Sequence, residues 1–202
     1  MGSMAAGGRG RRHFLGLGLG VALGLAGCAQ TGPTVQGPVG ERSRIEDFYV
    51  EGRFALRQET KSYAGKLTWD HRQGRDEVLL MSPLGQGAAE IVQDESGARL
   101  TTADHRYYQA ADGGALVREV LGYELPLRHM SEWLLARTVP GTGVRRDAIG
   151  RVRRFTESGW EVEYGYGDEA ADALPLSMTA RYGEEVELRL HFDAWRLEGG
   201  EP

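Results

Sequence analysis

The stretch VEGRFALR, Val50 to Arg57, places apolar residues or glycine at its even positions and mostly charged residues at its odd ones. A period of two means a strand with one face turned inward and the other toward water. The same pattern recurs on both sides. Tyr63, Gly65, Leu67 and Trp69 alternate with Ala64, Lys66, Thr68 and Asp70. Trp160, Val162, Tyr164 and Tyr166 alternate with Glu161, Glu163 and Gly165, and Leu176, Met178 and Ala180 with Ser177, Thr179 and Arg181. Val186, Leu188, Leu190 and Phe192 alternate with Glu187, Arg189, His191 and Asp193. Weaker strands are expected at 87–93, 98–103, 105–110 and 150–156. The polar breaks Gln73-Gly74, Ser96-Gly97, Ser158-Gly159 and Tyr182-Gly183 suit hairpin connections.

Two segments depart from this period. Asp112 is placed to cap a helix carrying Leu116, Val117, Val120 and Leu121. Pro126 at a helix start, followed by Leu127, Met130 and Leu134, marks a second apolar stripe beside Trp133. A short helix is expected around 41–47. Consecutive antiparallel strands with a one-sided apolar face must curl or be covered. The expected fold is therefore mainly β with a few helices: an incomplete, strongly curved antiparallel β-barrel whose concave opening the helices cover.

The N-terminus suggests a compartment. Arg9, Arg11 and Arg12 precede the apolar run Phe14 to Leu25, and Leu25-Ala26-Gly27-Cys28 follows. This order describes an export signal. The run is shorter than the ~20 apolar residues of a membrane span. Cys28 is the only cysteine in the chain, and Leu-Ala-Gly-Cys resembles a bacterial lipobox, which implies cleavage before Cys28 and a covalent lipid on its thiol. Arg11-Arg12-His13-Phe14-Leu15 also resembles a twin-arginine signal, so the export route stays open. Residues 1–27 are read as a lipoprotein signal peptide, 28–40 as lipidated cysteine plus flexible tether, and 41–202 as one domain. A tether of that length reaches ~20 Å. Ala29 rather than Asp after the lipidated residue favours the outer membrane over the inner one.

The chain carries a net charge of −5, and losing three arginines with the signal makes it more acidic. That balance argues against nucleic acid, where phosphate neutralisation dominates binding. There is no G-x-S-x-G elbow, no H-E-x-x-H and no phosphate-binding glycine loop with a lysine. His71, His105, His129 and His191 are scattered without metal-ligand spacing, and the acidic pairs Glu184-Glu185 and Asp168/Glu169/Asp172 lie in turn-like segments. The expectation is no enzyme, no metal and no cofactor beyond the lipid on Cys28.

One turn is odd. In VLLMSPLGQGA, residues 78–88, a leucine sits between Pro83 and Gly85. It either folds back on its own domain or stands out on a stiff tip.

The ordered series Gly52-Arg53-Phe54-Ala55, Gly65-Lys66-Leu67-Thr68-Trp69, Leu79-Leu80-Met81-Ser82-Pro83-Leu84-Gly85, Leu121-Gly122-Tyr123-Glu124-Leu125-Pro126-Leu127, Trp133-Leu134, Gly159-Trp160-Glu161-Val162-Glu163-Tyr164 and Asp193-Ala194-Trp195 resembles the outer-membrane lipoprotein receptor family LolB. No single motif in it is diagnostic; the order, together with the lipobox, is. The resemblance implies a LolA/LolB-like fold and an apolar cavity for acyl chains. It implies a monomer that receives acylated lipoprotein cargo from a LolA-like periplasmic carrier and inserts it into outer-membrane lipid. It also implies that Leu84, held by Pro83 and Gly85, is the exposed leucine of a membrane-insertion loop. Phe54, Leu67, Trp69, Leu79, Met81, Trp133 and Leu134 are the cavity-lining candidates. Three other readings remain: a soluble-type carrier, a scaffold subunit of an outer-membrane assembly, and a hydrolase in which His129 would matter.

Overall fold

The computed structural model describes residues 34–36, 42–122, 127–137 and 143–198. In chain order the strands before the helices are β1 (Thr34–Gln36), β2 (Asp47–Gln58), β3 (Lys61–Arg72), β4 (Arg75–Met81), β5 (Gly87–Asp94), β6 (Gly97–Thr102) and β7 (Tyr107–Ala110). Helices α1 (Gly113–Leu121) and α2 (Leu127–Leu134) follow. The chain returns to strand with β8 (Arg145–Arg146), β9 (Val152–Glu157), β10 (Trp160–Gly165), β11 (Ser177–Tyr182) and β12 (Val186–Glu198).

These strands form one sheet in the order β7-β6-β5-β4-β3-β2-β12-β11-β10-β9-β8. Neighbours along this path are antiparallel, and β7 and β8 are its two edges, so the sheet is not closed. The last long strand pairs with the first, Val186 opposite Gln58 through Glu198 opposite Asp47. The hairpins at Gln73-Gly74 and Ser158-Gly159 have two consecutive residues at positive φ, the backbone that matches the twist of the flanking strands.

The alternation becomes burial. Val50, Leu67, Trp69, Val78, Phe155, Val162, Met178, Leu190 and Phe192 share one core with Met130, Trp133 and Leu134 of α2. Residues as far apart in strand order as β4 and β9 pack on the same helix, so the sheet bends around it. On the other face, Arg154, Glu161, Glu163, Arg181, Glu187 and Arg189 form a chain of ion pairs across β9–β12. Gly52 and Gly65 permit the tight curvature near the centre. A Cβ at Gly52 would lie 2.3 Å from the His191 carbonyl oxygen, and one at Gly65 would lie 2.0 Å from that of Met81.

Asp112 caps α1, accepting from the Ala115 N–H at 2.8 Å, and Gly122 closes it at φ 81°. Leu116 and Val117 are buried as the stripe requires, but Val120 is exposed. Pro126 lies outside the described residues, as does Cys28. The helix expected at 41–47 is only a 3-10 turn at Arg42–Arg44, because the strand already begins at Asp47. Within the stretch read as tether, Thr34–Gln36 pairs in parallel with Ala194–Arg196 of β12.

Candidate functional site

An apolar cavity of about 640 Å³, counting its open mouth, lies between one wing of the sheet and both helices. Phe54, Leu56, Leu67, Trp69, Val78 and Leu80 line it from β2, β3 and β4. Ile91, Leu188 and Leu190 complete the sheet side, and Val117, Leu127 and Met130 form the helical side. Every lining residue is apolar. Its enclosed part is about 120 Å³, smaller than the ~300–1,000 Å³ of ordinary ligand pockets.

The register shows which way the cavity opens. Phe54, Leu56 and Leu80 stand beside the β4–β5 turn and are half-buried, while Leu67, Trp69 and Val78 lie further along the strands and are buried. The mouth therefore faces the end of the sheet that carries the turn. In that turn the Gly85 N–H donates to the Ser82 carbonyl and the Ser82 N–H to the Gln86 carbonyl, both at 2.8 Å. Gly85 adopts φ 85°, a conformation glycine takes without strain. The result is a short braced tip on which Leu84 is 88% exposed.

Two buried carboxylates hold the walls. Asp76 accepts from the Trp69 indole N–H at 2.8 Å, the His71 Nδ1 at 2.6 Å and the Gln93 amide at 3.4 Å. Gln93 in turn accepts from the Gly113 N–H at the start of α1, 2.9 Å away. Hydrogen bonding to Asp76 raises the His71 imidazole above its ordinary value, against the opposing effect of burial. Glu157 does the same for α2, accepting from the Trp133 indole at 2.8 Å and pairing with His129 Nδ1 at 2.6 Å. Tyr164 donates its hydroxyl to the Trp133 carbonyl at 2.7 Å, and burial raises that phenol well above its usual range. His129 is thus a fastener of α2. Among the described residues no group of His, Cys, Asp and Glu is arranged to hold a metal ion.

The sequence-derived lining candidates separate into three groups. Phe54, Leu67 and Trp69 line the cavity. Trp133 and Leu134 do not; they are buried in the core, Trp133 against Phe155 and Trp160 with ring centroids 5.7 and 6.3 Å away. Leu79 and Met81 point to the convex face, because Val78 and Leu80 take the inward positions of β4. A run of four apolar residues hides its own parity. The inward pair could have been found by extending the alternation of β3 through the register, since Val78 is opposite Trp69 and Leu80 opposite Leu67.

The model of the family described as "Outer membrane lipoprotein LolB" matches residues 46–195. A relative named outer-membrane lipoprotein LolB in Dechloromonas aromatica is 42% identical over 85% of this chain and 92% of its own. The chain belongs to the LolB family. Further LolB relatives include those of Azoarcus sp., 34% identical over 86% of this chain and 90% of theirs, and Pseudomonas aeruginosa, 31% identical over 87% and 85%. Among solved structures, a putative outer membrane lipoprotein-sorting protein domain from Vibrio parahaemolyticus overlays with a TM-score of 0.43 at 12% identity, covering 80% of this chain and 91% of that one. As a LolB-family protein the chain is an outer-membrane lipoprotein, and not an enzyme.

Proposed function

We propose that this LolB-family chain accepts lipoproteins from a soluble periplasmic carrier, shelters their acyl chains in the cavity and inserts them into the outer membrane. In this reading Cys28 carries the lipid anchor and Leu84 enters the bilayer. The observation that carries it is the shared direction of the cavity mouth and the Leu84 tip. An acyl chain of ~14 methylenes costs about 11 kcal/mol to expose to water at ~0.8 kcal/mol each. Cargo must therefore pass from one apolar shelter to the next without crossing solvent, and a mouth beside the insertion tip permits this.

The sequence has no nucleotide-binding motif, so transfer runs downhill. The cavity must hold acyl chains better than the carrier does and worse than the bilayer does. Its partial opening at Phe54, Leu56 and Leu80 suits a shelter that releases its guest. Reconstitution tests the proposal: acylated cargo on its carrier, this protein in liposomes, and a count of cargo moved into the lipid. Cargo that stays on the carrier would overturn it. Uptake of a fluorescent fatty acid separates this role from that of a scaffold, which predicts none.

A further inference from the structure

The convex face of β2–β4 beside Leu84 is not built like the rest of the outer surface. Over β9–β12 the outward positions are occupied by paired Arg and Glu. Near Leu84 they are Ala55 opposite Ala64, Met81 opposite Lys66, and Leu79 opposite Thr68. Ala55 and Ala64 are exposed, Leu79 is 37% exposed and Met81 is half-buried. The strands have no packing need for apolar residues on a face turned to water. Lys66 stands on this face, opposite Arg53 and Met81, and is exposed; Lys61, the other lysine of the chain, shares the parity of Tyr63 and so lies on the cavity side at the start of β3. Among the described residues neither forms an ion pair, whereas most neighbouring arginines do. Tyr63, 44% exposed, is on the same cavity side of β3 as Lys61. Glu90, opposite Leu79 on β5, bounds the patch.

The geometry points to a bilayer-seating surface: the outer face of β2–β4 around Ala55, Ala64, Leu79 and Met81 lies against anionic lipid, with Lys66 reaching the phosphates. This rests on the reading of Leu84 as the membrane-entering tip and goes beyond it, because it fixes which side of the domain lies down. Three properties select lipid as the occupant. The patch is continuous with Leu84. Its relief is low, built on alanine. It carries Lys66, a flexible stem with a charged end that suits an apolar-to-headgroup boundary. With this wing seated, Leu56, Tyr63 and Leu80 on the opposite face of the same strands bring the cavity mouth to headgroup level.

The test uses the full lipid-anchored protein in phosphatidylethanolamine/phosphatidylglycerol vesicles. Single reporters are placed at Ala64→Cys, Leu84→Cys and, as a control on the far wing, Thr156→Cys, each labelled with a fluorophore. Quenching by headgroup-level nitroxide lipid is then measured. Quenching at Ala64 and Leu84 but not at Thr156 is the expected result. Quenching at Leu84 alone overturns the seat while sparing the insertion reading; quenching at neither removes both. Shielding of the Ala64 probe only when carrier protein is added would assign the patch to a protein partner and overturn the proposal. Lys66→Glu is expected to weaken Ala64 quenching about five-fold in anionic vesicles, and to leave it unchanged when phosphatidylcholine replaces the phosphatidylglycerol. Equal quenching in both vesicle types would refute the lysine contribution.

Discussion

Replacing Leu84 with Glu separates folding from delivery. The wild-type side chain is 88% exposed on a braced turn, so nothing in the folded domain depends on it. Surface substitutions of this kind change stability by less than ~0.5 kcal/mol, and the thermal midpoint should move by no more than ~2 °C. The cavity lining does not include Leu84, so fatty-acid uptake should also be unchanged. Delivery should differ. Burying a leucine side chain in an apolar phase gains ~1.5–3 kcal/mol, and pushing a carboxylate toward hydrocarbon costs up to ~3 kcal/mol. Together about 4 kcal/mol is lost from the inserted state, roughly three orders of magnitude in its population. The assay is single-round transfer of acylated cargo from carrier to liposomes containing the anchored variant, with fatty-acid binding and melting measured on the same preparation. Transfer at the wild-type rate would refute the reasoning, because the inserted state would then not lie on the path.

Other perturbations follow from the walls. Asp76→Ala strands the Trp69 indole, the His71 ring and the Gln93 amide. A loss of ~2–4 kcal/mol is expected, read as a fall of roughly 5–12 °C in calorimetry. The His71 value is raised in the folded state. Its contribution is therefore fully present below the unfolded value of ~6.5 and is lost as pH rises through the raised one. Urea melts of wild type and His71→Gln should converge on moving from pH 6 to pH 8.5, and divergence would contradict the sign. Gly65→Ala places a methyl 2.0 Å from the Met81 carbonyl oxygen and 3.0 Å from the Phe54 ring. It should cost at least ~1–3 kcal/mol in chemical denaturation, whereas Gly74→Ala meets nothing within 4 Å and pays only for its positive φ. Tyr164→Phe removes one buried bond to α2 and should cost ~0.5–1.5 kcal/mol.

Strands β2, β3, β10, β11 and β12 were readable because a one-sided sheet imprints its parity on the chain. The α1 cap was readable because Asp112 stands just before an apolar stripe. Thr34–Gln36 was not, since three uncharged residues carry no period and their strand exists only through pairing with β12. The cavity escaped in part for a similar reason. Whether an inward residue fills space or borders it depends on what the helix opposite presents. Met130 and Trp133, one turn apart on α2, fall on different sides of that boundary. Nothing in their immediate sequence sets Asp76 and Glu157 apart from other strand-end charges. Yet each shares the parity of an inward neighbour, Val78 and Phe155, and that was a usable sign of burial.

The parallel pairing of β1 alters how the domain is leashed. Because Thr34 is fastened beside Ala194, six peptide links separate that point from Cys28, a span of no more than about 20 Å. β1 runs in the same direction as β12, so Thr34 is its end nearer to Leu84. A lipid on Cys28 would then act less as a rope than as a hinge pin, holding the same end of the molecule downward through every round of exchange.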